Sequence, residues 1–382
     1  MTIGILGGGQ LGYMLALAGY PLGLHFRFLD PSPEAPVGRI AHRVTADYTD
    51  VQALQRFAQG LEVVTYEFEN VPVEAARLLA ERTEVYPPVN ALEEAQDRLR
   101  EKSLFKKLGI PTTEFAALET AAEFDAAVKQ IGLPAILKTR RMGYDGKGQW
   151  LLRTKEDVEK ARQALPKVPL ILEKFVVFNS EVSMLGVRSR TGEIAFYPVV
   201  ENHHREGILR LSVAPAQNVT SELQRAAEEA TQKVLETLGY VGVLCIEFFE
   251  VGGRILANEM APRVHNSGHW TIEGAVTSQF ENHLRAILGM PLGSTAAVGH
   301  SAMINLIGEV PEESAVLAVP NAHLHLYGKL ARPGRKLGHV TVRADRAEKL
   351  KARLAELPEF FRRPEYCLEA VVGEKVGQVG KG

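Results

Sequence analysis

Only two cysteines, Cys245 and Cys367, occur in 382 residues. That is too few for a disulfide framework, so a reduced, cytosolic setting is expected. No apolar run approaches the ~20 residues needed to cross a bilayer, which argues against a membrane protein. A formal charge of −2 gives no general attraction to nucleic acid or an anionic membrane, so neither is expected as a partner. The N-terminus, Met1-Thr-Ile-Gly-Ile-Leu6, lacks a basic segment and enters a glycine turn at once, unlike a signal peptide. Internal repeats and low-complexity stretches are missing. So are a G-x-x-x-x-G-K-[ST] phosphate loop where one would be needed and a kinase signature. What remains is an average globular composition over a length that suggests two or three domains.

In the first 90 residues, strands at 3–6, 24–29 and 63–66 alternate with helical stretches, one of them opening at 13–18. Such alternation predicts an α/β class with a parallel sheet covered on both faces. Pro87-Pro88 closes this segment. Residues 91–109 read as one charged helical stretch stopped by Gly109 and Pro111. From 112 to 175 the pattern is βαβ-like, with strands at 134–138 and 169–173 and a glycine-rich loop, Gly143-Tyr-Asp-Gly-Lys-Gly148, between them. Longer strands and a helix at 222–238 fill 176–300. The tail, 301–382, offers short strands at 303–307 and 323–327 and a basic turn, Arg332-Pro-Gly-Arg-Lys336.

Two glutamates carry the strongest chemical signal. Glu247 and Glu259 flank Gly252-Gly253 in what reads as an apolar β-hairpin. With a three-residue loop at 252–254 they fall opposite each other, with Cβ atoms about 5 Å apart, where like charges destabilise a sheet. Such a pair persists if a proton is shared or a cation bridges it. Asn258 adds a neutral oxygen, and Glu/Glu/Asn suits Mg²⁺ that also binds substrate phosphates. The alternative is a solvated hairpin with exposed acids. Strict alternation puts Asn258 on the face opposite Glu259, so both can bind one ion only if the strand is irregular at 258.

Gly7-Gly-Gly-Gln-Leu-Gly12 satisfies G-x-G-x-x-G between a strand and a helix, with Asp30 eighteen residues on. In that context it fits a dinucleotide site, another anionic ligand at a helix N-terminus, or a purely structural turn. Lys138 ends a strand just before the 143–148 loop, as a fixed cation beside backbone able to close over phosphates. Glu173 and Lys174 lie on the next apolar strand and Glu181 follows. Each reads equally well as a nucleotide contact or a solvated strand residue. Downstream of Glu259, the segment Arg263-Val-His-Asn-Ser-Gly-His269 is dense in recognition groups.

Taken in order, a strand lysine, a glycine-rich lid, a Glu-Lys-Phe-Val strand and a Glu…Asn-Glu hairpin resemble the ATP-grasp superfamily. Within it, the chain resembles the 5-(carboxyamino)imidazole ribonucleotide synthase family over nearly its whole length. The likeness rests on the 7–12 turn, Gly143–Gln149, Asn258-Glu-Met-Ala-Pro-Arg-Val-His-Asn-Ser-Gly-His269 and Arg332–Lys336. It implies an ATP-grasp fold with a Rossmann-like N-terminal domain at 1–90, an ATP-grasp domain at 91–300 and a small β-rich C-terminal region at 301–382. The lid subdomain would span 112–175, and the C-terminal region would complete the substrate site.

The implied reaction is ATP-dependent carboxylation of 5-aminoimidazole ribonucleotide by bicarbonate. It would pass through carboxyphosphate and give N5-carboxyaminoimidazole ribonucleotide, ADP and phosphate in a cytoplasmic homodimer using Mg²⁺. By the same resemblance, Arg98, Lys138 and the loop Gly143, Tyr144, Asp145, Gly146, Lys147, Gly148 and Gln149 hold ATP phosphates. Glu173, Lys174, Phe175, Val176, Glu181 and His204 form the adenosine pocket. Glu247, Asn258 and Glu259 bind the metal, the last two also meeting ATP. Arg263, His265, Asn266 and Ser267 handle bicarbonate, with an Arg263–Glu259 ion pair as the structural alternative. Gln10, Tyr144, Asp145, Lys329 and Arg335 bind the ribonucleotide, joined by one of Glu67 and Glu69. Rival readings are another ATP-grasp ligase that uses formate or biotin, a nicotinamide oxidoreductase, and a non-catalytic relative.

Overall fold

The computed structural model describes residues 1–143 and 148–373. Tyr144, Asp145, Gly146 and Lys147, expected at the nucleotide and the ribonucleotide, lie outside the described residues.

The first sheet has five parallel strands, in the order His42–Thr45, His25–Asp30, Thr2–Leu6, Val63–Tyr66 and Glu84–Val85. Strands buried on both faces are apolar throughout. Ile3 and Ile5 pack with Leu11 and Leu15 of helix Gln10–Gly19. Leu6 and Val64 pack on the other face with Leu54 and Leu79 of helices Val51–Phe57 and Val73–Ala80. The α/β expectation for this segment is met. Two strands, His42–Thr45 and Glu84–Val85, were not foreseen; both are short and partly exposed, so neither carries a long apolar run.

The charged stretch at 91–109 is two helices, Val89–Ala95 and Arg98–Lys107. Asp97 divides them because its carboxylate accepts from the Leu99 amide at 3.0 Å as an N-cap. The same carboxylate takes a bidentate contact from Arg140, at 2.9 Å from Nε and 2.7 Å from Nη2. The break therefore fixes Arg98 as the first residue of a helix and ties that helix to the strand leading to the glycine-rich loop.

Residues 115–174 form a four-stranded sheet ordered Phe115–Leu118, Leu170–Lys174, Ala135–Thr139, Gln149–Leu152, with every pairing antiparallel. The βαβ-like pattern is present in split form: Phe115–Leu118 and Ala135–Thr139 run the same way with Leu170–Lys174 inserted between them. Gly148 has φ +70° and its carbonyl accepts from Thr139 at 2.9 Å, so the glycine-rich loop links two paired strands.

A nine-stranded sheet spans the rest. It runs Arg254–Ala261, Gly242–Val251, Ser180–Arg188, Val200–Arg205, Ile208–Ala214, His300–Ile307, Lys336–Ala344, Ala322–Leu326, with Ile194–Phe196 beside Ser180–Arg188. The tail thus extends the sheet of the preceding segment. The basic turn leads directly into Lys336–Ala344, a strand not read from the sequence because charge and glycine open it. No helix among the described residues is long and apolar enough to cross a membrane.

Candidate active site

Glu247 and Glu259 do face each other, but by a different route from the one expected. The hairpin turns in two residues, Gly252 (φ +57°) and Gly253 (φ +81°), with Val251 opposite Arg254. Positive φ at both central positions is the glycine-demanding hairpin turn that matches strand twist. Left regular, this register would place Glu247 opposite Asn258. Instead the pairing shifts between Glu247 and Phe248, leaving Asn258 as an extra residue and bringing Glu259 opposite Glu247. The irregularity required for Asn258 and Glu259 to share a ligand is present. Asn258 Oδ1 is buried and has no hydrogen-bond partner among the described residues.

The pair titrates as opposed carboxylates should. Burial pushes Glu247 up to about 7, with nearby Glu259 and Glu181 adding to the rise and His204 opposing it. Burial opposes ionisation of Glu259 as well, but Arg98 outweighs it and holds that carboxyl low, with Arg98 Nη1 3.0 Å from Glu259 Oε2. The Glu259 side chain is still 42% exposed, so water in the cleft screens this pair. One oxygen-rich acid pair, one orphaned amide oxygen and an open side form a donor set that fits Mg²⁺.

Around it stands a buried set of lysines and acids. Glu173 Oε2 lies 2.9 Å from Lys138 Nζ and 3.4 Å from Lys102 Nζ. Burial works against the Glu173 charge, yet the two ammonium groups hold it down to about 2. Its Oε1 is buried without a partner among the described residues, an acceptor available to an amine. Lys174 turns its ammonium to the Ile131 carbonyl at 3.2 Å, as alternation along the strand requires. Phe175 and Val176 are half-buried just beyond. Arg98, Glu101 and Lys102 recur at helical spacing on one face. Glu101 was not anticipated; burial and the Glu259 charge raise it to about 8, and its Oε1 accepts from the Met260 amide at 2.6 Å.

His204 Nδ1 meets Glu181 Oε2 at 2.6 Å. Burial disfavours the imidazolium, but Glu181 and Glu247 outweigh it and raise the group from 6.5 to about 9. A raised histidine contributes stability fully below its free pKa and loses it as pH rises through the folded value. Glu247, also raised, loses its own contribution by about pH 7. Between about pH 7 and pH 9 the ligand-free chain should therefore lose up to about 3 kcal/mol through His204. Thermal unfolding of wild type and His204→Gln across that range checks this; parallel curves would exclude the charged pair.

The 263–269 segment divides into two roles. Arg263 is paired with Glu69 through Nε, not with Glu259, and Nη1 donates to the Val264 carbonyl at 3.1 Å. Nη2 carries no protein partner among the described residues. His265 Nδ1 accepts from the Ser267 amide at 3.3 Å, so its proton sits on Nε2, which lies 3.4 Å from Glu247 Oε1. Burial, with Arg263 and Lys336 nearby, holds this ring far below the usual histidine range, hence neutral. Ser267 is fully buried and passes a hydroxyl–amide chain on to His265: Ser212 to Asn202 at 2.8 Å, Asn202 to Ser183 at 3.0 Å, Ser183 to Ser267 at 2.8 Å, and Ser267 to His265 Nδ1 at 2.9 Å. Asn266 and Asn305 exchange amide hydrogen bonds of 3.0 and 2.7 Å. Asn266 and Ser267 thus anchor the segment, while Arg263 keeps Nη2 without a partner among the described residues and His265 turns Nε2 toward Glu247.

The N-terminal glycine turn already holds an anion, and it is part of the chain. Glu67 accepts from the Gly9 amide and, at 2.7 Å, from the Gly12 amide, while Asp30 accepts from Gly8 at 2.7 Å. A Cβ on Gly9 would lie 2.6 Å from Glu67 Oε1. The glycines admit a carboxylate where a dinucleotide would place its pyrophosphate, which removes the nicotinamide reading. Gly9→Ala should cost about 1–3 kcal/mol by overpacking, and Glu67→Ala should relieve much of that in the double variant. Additive losses in urea unfolding would contradict this account. Gln10 meets Lys329 directly. Burial depresses Lys329 to about 8, with Glu67 opposing that and Arg335 and Lys336 adding to it. Arg335 donates to the Leu330 carbonyl at 3.2 Å. Lys336, a further cation of the basic turn, acts on Glu247, His204 and His265.

Comparison with known proteins gives the family. Residues 1–96 match the ribonucleotide synthetase preATP-grasp domain, 103–280 the ATP-grasp domain, and 301–353 the phosphoribosylaminoimidazole carboxylase C-terminal domain. A curated relative from Pseudomonas aeruginosa, N5-carboxyaminoimidazole ribonucleotide synthase, is 56% identical over 94% of this chain and 98% of its own length. The crystal structure of N5-carboxyaminoimidazole ribonucleotide synthetase from Thermus thermophilus is 58% identical with a TM-score of 0.90, covering 98% of this chain and 100% of that one. An Aspergillus clavatus synthase solved with ADP and 5-aminoimidazole ribonucleotide is 33% identical with a TM-score of 0.86, covering 96% of this chain and 98% of that one.

Proposed function

The chain belongs to the N5-carboxyaminoimidazole ribonucleotide synthase family of ATP-grasp ligases, and from that premise we propose that it carboxylates 5-aminoimidazole ribonucleotide with bicarbonate at the expense of ATP. The observation that carries this reading is the bulge at Asn258, which gathers two acids and an orphaned amide oxygen beside Arg98 and Lys138. Glu247, Glu259 and Asn258 would hold Mg²⁺. Bound there with the nucleotide, the ion would neutralise charge on the phosphates during transfer.

In the first step a bicarbonate oxygen attacks the γ-phosphorus and the bond to ADP breaks, leaving carboxyphosphate. Bicarbonate is a poor electrophile, and phosphorylation gives its carbon a leaving group. Arg98 and Lys138, with the 143–149 loop, would hold the phosphates. Glu173, through its unpartnered Oε1, would accept from the adenine amine, with Glu181 and His204 beside the ribose. Glu173 also fixes Lys138 in place. Arg263, anchored by Glu69, presents Nη2 as half of a fork suited to a planar oxyanion. His265 adds a neutral Nε2–H, and preorganised donors of this kind act where charge develops. Asn266 and Ser267 support the reading by positioning these two.

In the second step the exocyclic amine of the ribonucleotide takes the carboxyl carbon, directly or as released CO₂, and phosphate departs. Lys329, Gln10 and Arg335 would bind the ribonucleotide, its phosphate meeting the two cations. Mg²⁺, bicarbonate and a homodimeric, cytoplasmic state are part of this proposal. The deciding assay is phosphate release from ATP by the full chain. It should require bicarbonate and 5-aminoimidazole ribonucleotide together; turnover with formate, or without the ribonucleotide, would overturn the reading.

A further inference from the structure

Arg210 is only 8% exposed, yet no hydrogen bond or ion pair reaches its guanidinium among the described residues. Its Nε is fully enclosed without a partner among the described residues, and the side chain lines a cleft of about 520 Å³. Burying a guanidinium unpaired is costly, and buried charges in folded proteins are normally matched by an opposite one. Arg210 reaches this position because the pairing of Val200–Arg205 with Ile208–Ala214 shifts between His203 and His204, leaving Arg210 as the extra residue. A bulge of this kind re-aims a side chain.

The cleft is otherwise basic where it is unpaired. Arg205 and Arg332 line it. Among the described residues, Arg205 makes one bond, to the Pro364 carbonyl at 2.8 Å, and Arg332 is exposed and without a side-chain partner. Of its acids, Glu309 is paired with Arg363 and Glu365 lies 3.6 Å from the same arginine, which leaves Glu206. Among the described residues, none of those assigned to ATP, metal, bicarbonate or the ribonucleotide lines it. Alternation along Val200–Arg205 turns Arg205 to the face opposite His204. The volume falls in the range of small-molecule sites and exceeds the needs of one inorganic ion.

We propose that this cleft is a second anion site, in which Arg210, flanked by Arg205 and Arg332, binds a phosphate group. The arginine fork matches phosphate oxygens bidentately, and the room beside it suits either free phosphate or the phosphate end of a nucleoside monophosphate.

The test is calorimetric titration of the full chain at constant ionic strength, with Mg-ADP and 5-aminoimidazole ribonucleotide saturating the reaction centre. Inorganic phosphate is the probe in one arm and AMP in the other. Wild type should bind the probe, Arg210→Gln at least tenfold more weakly, and Arg332→Ala three- to tenfold more weakly, with the KM for the ribonucleotide within twofold in both. Tighter binding of AMP than of phosphate identifies a nucleotide occupant, and equal binding identifies phosphate itself. Arg332→Ala, being on the surface, reports even if Arg210→Gln fails to fold. Equal affinity in wild type and Arg332→Ala would overturn the proposal. So would a tenfold rise in the ribonucleotide KM with titration unchanged, which would make the cleft part of the acceptor site.

Discussion

Glu259→Gln is expected to lower ATP-dependent turnover by about 10²- to 10³-fold or more, while the ligand-free protein unfolds within about 1 kcal/mol of wild type. The two effects separate because Glu259 is poorly placed for stability. It opposes Glu247 across the hairpin and its charge helps push Glu101 up to about 8. Its favourable partner, Arg98 at 3.0 Å, is screened by the open cleft. Glutamine keeps the size and an acceptor oxygen for Arg98 but removes the anion that would help hold a divalent cation. Glu247 should then titrate closer to an ordinary glutamate. Single-turnover phosphate release and thermal unfolding measured together decide the matter. Wild-type turnover in this variant would remove the acid pair from the metal site.

Arg263→Ala should lose both activity and stability. Its Nε contact with Glu69 lies in a largely enclosed setting, with side-chain exposures of 14% and 26%. Burial alone would raise the Glu69 carboxyl, but Arg263 outweighs it and holds it low. Removing the arginine strands that carboxylate, at a cost of about 2–3 kcal/mol after allowance for its partial exposure. The lowered Glu69 contributes stability above its free pKa and loses it as pH falls. The variant's deficit should accordingly shrink under acid conditions.

Activity should fall by about 10²- to 10³-fold, the scale for losing one preorganised donor. The double variant Arg263→Ala/Glu69→Gln separates the two roles, because it restores stability without restoring turnover. Glu69→Gln alone keeps an acceptor for Nε and should retain most activity. Recovery of turnover in the double variant would reduce Arg263 to a structural ion pair, although with Glu69 rather than Glu259.

Much of the fold was readable from residue order. Alternating strands and helices gave the parallel sheet because both faces of Thr2–Leu6 are apolar. The 222–238 helix, observed as Ser221–Thr237, followed from an uninterrupted amphipathic run. The misread elements share a cause. The helix break at Asp97 depends on a carboxylate that serves Leu99 and Arg140 together. The strand Lys336–Ala344 begins with charge and glycine and is defined by the strands on either side of it. Lys102 and Glu101 read only as members of a charged helical stretch. Only burial distinguishes them, although their spacing from Arg98 on one helical face was visible.

The sequence by itself put two carboxylates on the two strands of one hairpin, with Asn258 useful only if the strand is irregular, since turn and strand signals act over a dozen residues. It also supplied the family resemblance through the order of its motifs. The two-residue turn and the bulge that set Glu259 opposite Glu247 were decided by the folded structure. Tertiary structure alone decided who meets whom over longer reach. Glu67 fills the amides of a glycine turn 58 residues away, and Glu69 claims Arg263 across 194. Arg98 reaches Glu259 across 161. Such pairings depend on how three sheets pack, and no local periodicity encodes them. The same G-x-G-x-x-G can therefore hold a cofactor in one protein and a glutamate in another.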